Sequence, residues 1–187
     1  MDVERFEVAG PIAIRTARRG DDRGHFAEIF RSDWFKATIS ADAFVQENES
    51  LSVKTGTIRG LHFQTNPFAQ GKLVRCTAGA LFDVAVDIRQ GSPYYGRWID
   101  IELSAENGNQ LWIPAGFAHG FCTLKPNTII SYKVTAYYSH ANDSGFAWDD
   151  PIVGVKWPAT ADPTTLSPKD KSLPFLAELP ALPIYEG

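Results

Sequence analysis

The chain has 187 residues, 18 Lys and Arg against 22 Asp and Glu for a formal net charge of -4, and only two cysteines. This length supports one core without staples, the charge supplies no global positive field to draw nucleic acid, and Cys76 and Cys122, with no CxxC spacing, make no disulfide framework. No run approaches the roughly 18 apolar residues of a membrane span and "MDVERFEVAG" has no signal-peptide core, so the reading is a soluble, unprocessed, cytoplasmic protein with neither a nucleic-acid nor a membrane partner.

Residues 1–42 read as N-terminal strands followed by a short helix at "SDWFKATI", with Ser32 or Asp33 as its cap. From about residue 43 to 148, short stretches of period-two alternation are broken by Gly, Pro, Asn and Asp. In "LFDVAVDI", Phe82, Val84, Val86 and Ile88 point one way and Asp83 and Asp87 the other, which is a strand pattern. In "GRWIDIELS", Ile99, Ile101 and Leu103 oppose Trp98, Asp100 and Glu102, and "SAENGN" turns the chain into "QLWIP". "NTIISYKVTAYY" puts Tyr132 with Ile130 and Val134, on the inward side, and Lys133 on the other face. From Pro158 onward prolines are dense, so residues 149–187 are expected to form an irregular arm around the body, with a short coil in part of it. Many short strands without alternating helices predict a single all-β domain, a sandwich or barrel.

Among the four histidines, His62 and His119 stand out by position. His62 lies in "IRGLHFQ", where Gly60 signals a bulge or a close backbone approach, and His119 ends "LWIPAGFAH", a strand entering and leaving a Pro-Gly turn. An imidazole satisfied by backbone groups at a barrel rim is the plainer alternative for both. "PAGFAH" also reads like the second motif of cupin barrels, many of which bind a metal. A three- or four-ligand site needs an HxH pair and a carboxylate on the earlier strand, however, and that strand carries "HFQ". No metal site is therefore predicted. In "GKLVRC", Lys72 shares a face with Val74 and Cys76, either as a rim lysine reaching water or as a cation aimed at developing negative charge. Neither cysteine has a local base to activate it, and no GxSxG, GxGxxG or phosphate loop is present. A small anionic ligand stays open, because it needs only a few local Arg and Lys side chains.

Taken in order, "RGLHFQ", "AQGKLVRC", "FDVAVDIR", "LSAENGNQLWIPAGFAHGF", "YKVTAYYS" and "LSPKD" resemble the dTDP-4-dehydrorhamnose 3,5-epimerase family from about residue 11 to 176. The resemblance implies a cupin-type jelly roll and an isomerase that inverts C3 and C5 of dTDP-4-dehydro-6-deoxy-D-glucose without a metal or organic cofactor. It implies His62 as base, Asp170 as the carboxylate orienting it, Lys72 near the enolate oxygen and Tyr132 as acid on the opposite face. For nucleotide and diphosphate binding it points to Arg23, Phe26, Glu28, Gln46, Asn48, Arg59, His119, Tyr138 and Lys169, and to Asp143 where the family usually carries a glutamate. It further implies a homodimer in which the N-terminal segment crosses to the partner. Strict alternation puts Arg59 and His62 on opposite faces, so both can line one cavity only if the strand is irregular near Gly60. Inversion at C3 alone, action on another deoxysugar nucleotide, a sugar-nucleotide-binding cupin without turnover and a metal oxygenase are the competing readings.

Overall fold

The computed structural model describes residues 1–180 and 182–185. Two antiparallel sheets face each other. The first runs β1 (Asp2–Arg5), β2 (Ile12–Arg15), β10 (Gln110–Ile113), β7 (Lys72–Ala78), β12 (Thr128–Val134), β5 (Gln46–Ser52) in spatial order. The second runs β13 (Asp143–Gly145), β6 (Ile58–Gln64), β11 (Phe117–Thr123), β8 (Ala80–Asp87), β9 (Trp98–Ser104). Strands adjacent in the chain, such as β7 and β8 or β10 and β11, sit in opposite sheets, which is the cupin-type jelly-roll arrangement expected. A separate hairpin pairs β3 (Arg19–Asp21) with β4 (Gly24–Phe26).

Val74, Cys76, Leu111, Ile113 and Ile130 of the first sheet meet Leu81, Ala85, Ile99, Leu103, Phe117 and Phe121 of the second in one apolar layer. Burying each large side chain of this kind contributes about 1.5–3 kcal/mol. The alternation read in the sequence holds: Tyr132 pairs across β12 with Val74 and Asn48, on the face of Ile130, while Lys133 lies outside against Glu47. The apolar face of β8 behaves differently from a one-sided sheet. Val84, Val86 and Ile88 pack with Phe146, Val153 and Leu176 from the following segments, and Leu81, Asp83 and Ala85 turn into the barrel. Both faces of β8 are thus buried, because the C-terminal arm supplies a second apolar layer.

The helix α1 (Ser32–Thr38) begins one residue earlier than its predicted caps: Arg31 is the N-cap. Asp33 instead accepts from the Trp34 N–H and pairs with Arg31, so its charge still lies at the positive end of the helix. Phe35 seats α1 over Ile12, Ile14, Leu73 and Trp112 on the outer face of the first sheet. The arm carries 3₁₀ turns at Pro163–Thr165, Asp170–Ser172 and Leu176–Glu178, as prolines 163, 168, 174 and 180 interrupt anything longer. It is tied down by buried Asp150, whose Oδ1 accepts from Ile152 and Val153 N–H and whose Oδ2 accepts from Leu176 N–H at 2.7 Å.

The irregularity required near Gly60 is present. His119 pairs with His62 but Phe121 pairs with Arg59, so Gly60 and Leu61 oppose the single residue Gly120, a β-bulge. Gly60 has φ +114°, and an added Cβ there lies 2.6 Å from both Gly120 Cα and the His119 carbonyl oxygen. The Gly60→Ala variant is expected to lose about 3 kcal/mol or more of stability. In a domain this long, that lowers the melting temperature by roughly 6–12 °C in a thermal unfolding scan.

Candidate active site

The bulge turns both Arg59 and His62 inward, onto a cavity of about 340 Å³ that also receives Lys72, His119, Phe121, Tyr132, Lys169 and Asp170. An adjoining depression of about 500 Å³ shares His62, Lys72, Tyr132 and Lys169 and adds Gln46, Asn48, Tyr138 and Asp143. The sequence-predicted residues therefore converge, with one group excepted. Arg23 and Phe26 lie on or beside the β3–β4 hairpin, Glu28 just after it; all three are exposed and line neither recess. Arg23 is instead paired with Asp21. Within a single chain these three belong to no common site with His62.

His62 Nε2 and Asp170 Oδ1 are 2.6 Å apart, and the Asp170 side chain is 4% exposed. Burial pushes the Asp170 carboxyl up, but the His62 hydrogen bond and charge, with smaller help from Ser167 and the Gly60 backbone, outweigh it and hold the carboxyl below its ordinary value. An ionised carboxylate accepts, so Nε2 carries a proton, and in the neutral ring the lone pair is on Nδ1. Lys72 keeps a little accessible surface, yet burial dominates its ionisation and pushes the ammonium down to about 8, with Asp83 and Asp143 raising it and Lys169 lowering it. Its Nζ donates to the His62 carbonyl at 3.4 Å and makes no ion pair among the described residues. Tyr132 comes from the first sheet, facing His62 on the second. Burial raises its phenol above the ordinary value, against a smaller lowering by Arg59, so it is protonated at neutral pH.

His119 is buried, and its Nε2 lies 2.6 Å from Asp83 Oδ1. Asp83 is a residue that alternation placed only on the face opposite Val84; the histidine that binds it is 36 positions away, so no local pattern announces the pair. Ser50, Thr165 and Ser167 also line the cavity without having been singled out, since small hydroxyl residues carry little signal in a sequence. Arg59 reaches over to β5, donating to Ser52 Oγ at 3.2 Å and to the Leu51 carbonyl at 3.1 Å. Asp143 Oδ2 accepts from Tyr138 OH at 3.0 Å and from Lys169 Nζ at 2.6 Å, so this short carboxylate is engaged by its neighbours. Gln46 accepts from the Tyr138 N–H and donates to Asn48.

Arg59, Lys72 and Lys169 make the recess locally cationic in a chain of net charge -4, a setting for an anionic ligand. A free imidazole nitrogen, a buried ammonium and a protonated phenol together suit proton abstraction next to a carbonyl. Among the described residues, no group of three or more His, Cys, Asp or Glu could hold a metal ion.

Solved structures with this fold point in the same direction. A dTDP-6-deoxy-D-glucose-3,5-epimerase from Legionella pneumophila Philadelphia 1, in complex with dTDP-4-keto-L-rhamnose, matches with a TM-score of 0.93 and 39% identity over 100% of this chain and 99% of that one. A dTDP-4-dehydrorhamnose 3,5-epimerase from Bacillus anthracis, with TDP and PPi bound, matches with a TM-score of 0.88 and 44% identity over 93% of this chain and 98% of that one. Fold and site thus define the class, a cupin-type epimerase and hence an isomerase. The profile of the dTDP-4-dehydrorhamnose 3,5-epimerase family covers residues 5–178. A dTDP-4-dehydrorhamnose 3,5-epimerase of Sinorhizobium fredii is 58% identical over 180 residues, 96% of this chain and 92% of the relative. The chain belongs to the dTDP-4-dehydrorhamnose 3,5-epimerase family.

Proposed function

We propose that the chain inverts C3 and C5 of dTDP-4-dehydro-6-deoxy-D-glucose to give dTDP-4-dehydro-L-rhamnose, in dTDP-L-rhamnose biosynthesis. The observation that carries this reading is that His62 and Tyr132 reach one cavity from opposite sheets, with Lys72 in the same recess. Each inverted carbon adjoins the C4 ketone. Nδ1 of His62 takes the proton, the C–H electron pair forms the enolate double bond, and the former carbonyl pair moves to O4. The Lys72 ammonium holds that oxyanion, and Asp170 stabilises the imidazolium. Tyr132 then gives its phenolic proton to the other face of the carbon, the carbonyl re-forms, and solvent restores the phenol and removes the imidazolium proton. No step calls for a redox or metal partner. Arg59, His119 and Lys169 bind the diphosphate, with Gln46, Asn48, Asp143 and the Tyr138 ring on the nucleoside side. Turnover in D2O followed by NMR of the product is expected to show deuterium at both C3 and C5. Label at C3 alone identifies a single-centre epimerase.

The working unit in this reading is a homodimer in which the β3–β4 hairpin brings Arg23, Phe26 and Glu28 to the partner's cavity. Two features support it: Phe26 is 72% exposed, and an isolated two-stranded hairpin is marginal in water without something to pack on. Mixed dimers provide the test. Arg23→Ala and His62→Ala proteins, each impaired alone, are expected to regain about a quarter of wild-type turnover after dissociation and random re-pairing, because half the dimers then hold one intact site of two. No recovery in dimers proven mixed by mass spectrometry refutes the crossing.

A further inference from the structure

Asp83 is fully buried on the barrel side of β8, and only one of its oxygens has a partner. Oδ1 meets His119 Nε2 at 2.6 Å, while Oδ2 is buried and has no hydrogen-bond partner among the described residues. Orienting His119 does not call for a carboxylate: an asparagine oxygen at the same point accepts the same N–H, and leaves no buried anionic oxygen unpaired. The unpaired oxygen leaves negative charge free to act on a cation besides His119.

Lys72 and Arg59 are cations of the cavity without an ion pair among the described residues, and of the two Lys72 is the more buried, Arg59 being exposed. Lys72 enters from β7 in the opposite sheet, and among the described residues its ammonium makes one hydrogen bond, to a neutral carbonyl at 3.4 Å. The other charged and titratable groups of the two recesses are committed or unhelpful. From β6, His62 is paired with Asp170 of the arm, and Arg59 is a cation. From β11, His119 is paired with Asp83, and from β12, Tyr132 is a neutral phenol. From β13, Asp143 is shared by Lys169 of the arm and Tyr138. Glu49 of β5, at the rim of the second recess, is exposed. Asp83 stands behind His119, which lines the same cavity as Lys72, and its charge favours the ammonium form. No ion pair within contact distance joins the two. That separation matters: a direct salt bridge occupies ammonium protons, whereas a carboxylate held apart in a low-dielectric interior keeps the charge and leaves the protons free for an oxyanion.

We infer that Asp83 is a positioning residue that acts through Lys72, its buried carboxylate keeping the ammonium protonated in the empty cavity before an anionic substrate arrives. The inference rests on the proposed function for its catalytic meaning, and its test does not. In protein carrying ¹³C-labelled lysine, the Lys72 Cε resonance, assigned by its absence from Lys72→Met, is expected to titrate near 8 in the wild type. In Asp83→Asn the midpoint is expected to fall by about one pH unit or more, and the alkaline limb of kcat/KM, which reports the free enzyme, to move down with it. An unchanged Lys72 titration in folded Asp83→Asn overturns the inference. A shifted titration with an unshifted kcat/KM profile supports the link between Asp83 and Lys72 and removes Lys72 from the role of oxyanion partner. If Asp83→Asn does not fold, the substitution is repeated in a Lys72→Met background: folding restored there supports the link, and failure there too overturns it.

Discussion

Replacing His62 with alanine is expected to lower kcat by about 10³-fold or more, near the upper range for loss of a general base, and to remove deuterium incorporation at both carbons. Asp170, Lys72 and Tyr132 remain, but none is a neutral base aimed at the C–H bond, and KM is expected to change far less than kcat. Undiminished turnover contradicts the assignment. The same substitution has a signature in stability, because the Asp170 carboxyl is held below its ordinary value chiefly by its bond and charge interaction with His62, against burial. A depressed carboxyl stabilises the fold above its unfolded value of about 4, and that contribution disappears as pH falls through the folded value. His62→Ala is therefore expected to be about 1–3 kcal/mol less stable than wild type at pH 7. Urea titrations are expected to show the gap narrowing toward pH 3, and a gap that stays constant with pH excludes Asp170 as its origin.

Lys72→Met is expected to separate activity from stability. Burial pushes the Lys72 ammonium down to about 8, from about 10.4 in an unfolded chain. Between those two values the unfolded state binds the extra proton, so wild-type stability rises with pH through that window, and at pH 7 the folded protein bears the full cost of the buried charge. Removing the charge while keeping the length and apolar bulk is expected to stabilise the protein by roughly 1–3 kcal/mol at neutral pH. The gain is expected to shrink above about pH 8 and vanish near pH 10. Turnover is expected to fall by about 10²–10³-fold, as for loss of an oxyanion-stabilising group. A destabilised but active Lys72→Met protein reverses both parts of this account.

Much of the framework follows from local chemistry. Period-two alternation in β8, β9 and β12 gives strands, the side on which Tyr132 and Lys133 fall, and the all-β class, because neighbouring side chains on a strand must point to opposite faces. Gly60 betrays the bulge that brings Arg59 and His62 to one cavity, since its backbone conformation and its close approach to Gly120 leave no room for a Cβ. The order and spacing of six short motifs point to the family.

Other features arise only when distant parts of the chain meet. Asp170 stands 108 positions from His62, and the resemblance, not any local pattern, linked them. Asp83 reads locally as the polar side of a half-exposed strand, yet it lies fully buried beside His119, because the arm covers the opposite face of β8 and both faces become interior. Asp143 is spoken for by Tyr138 and Lys169, one coming from the preceding loop and the other from the arm. Arg23, Phe26 and Glu28, grouped with the site by family likeness, lie outside their own chain's cavity. Periodicity is a property of consecutive residues and reports which way a side chain points. The charge state of a buried group depends instead on which side chains, from whichever segments, fill the few ångströms around it, and those neighbours are chosen when the sheets and the arm pack together.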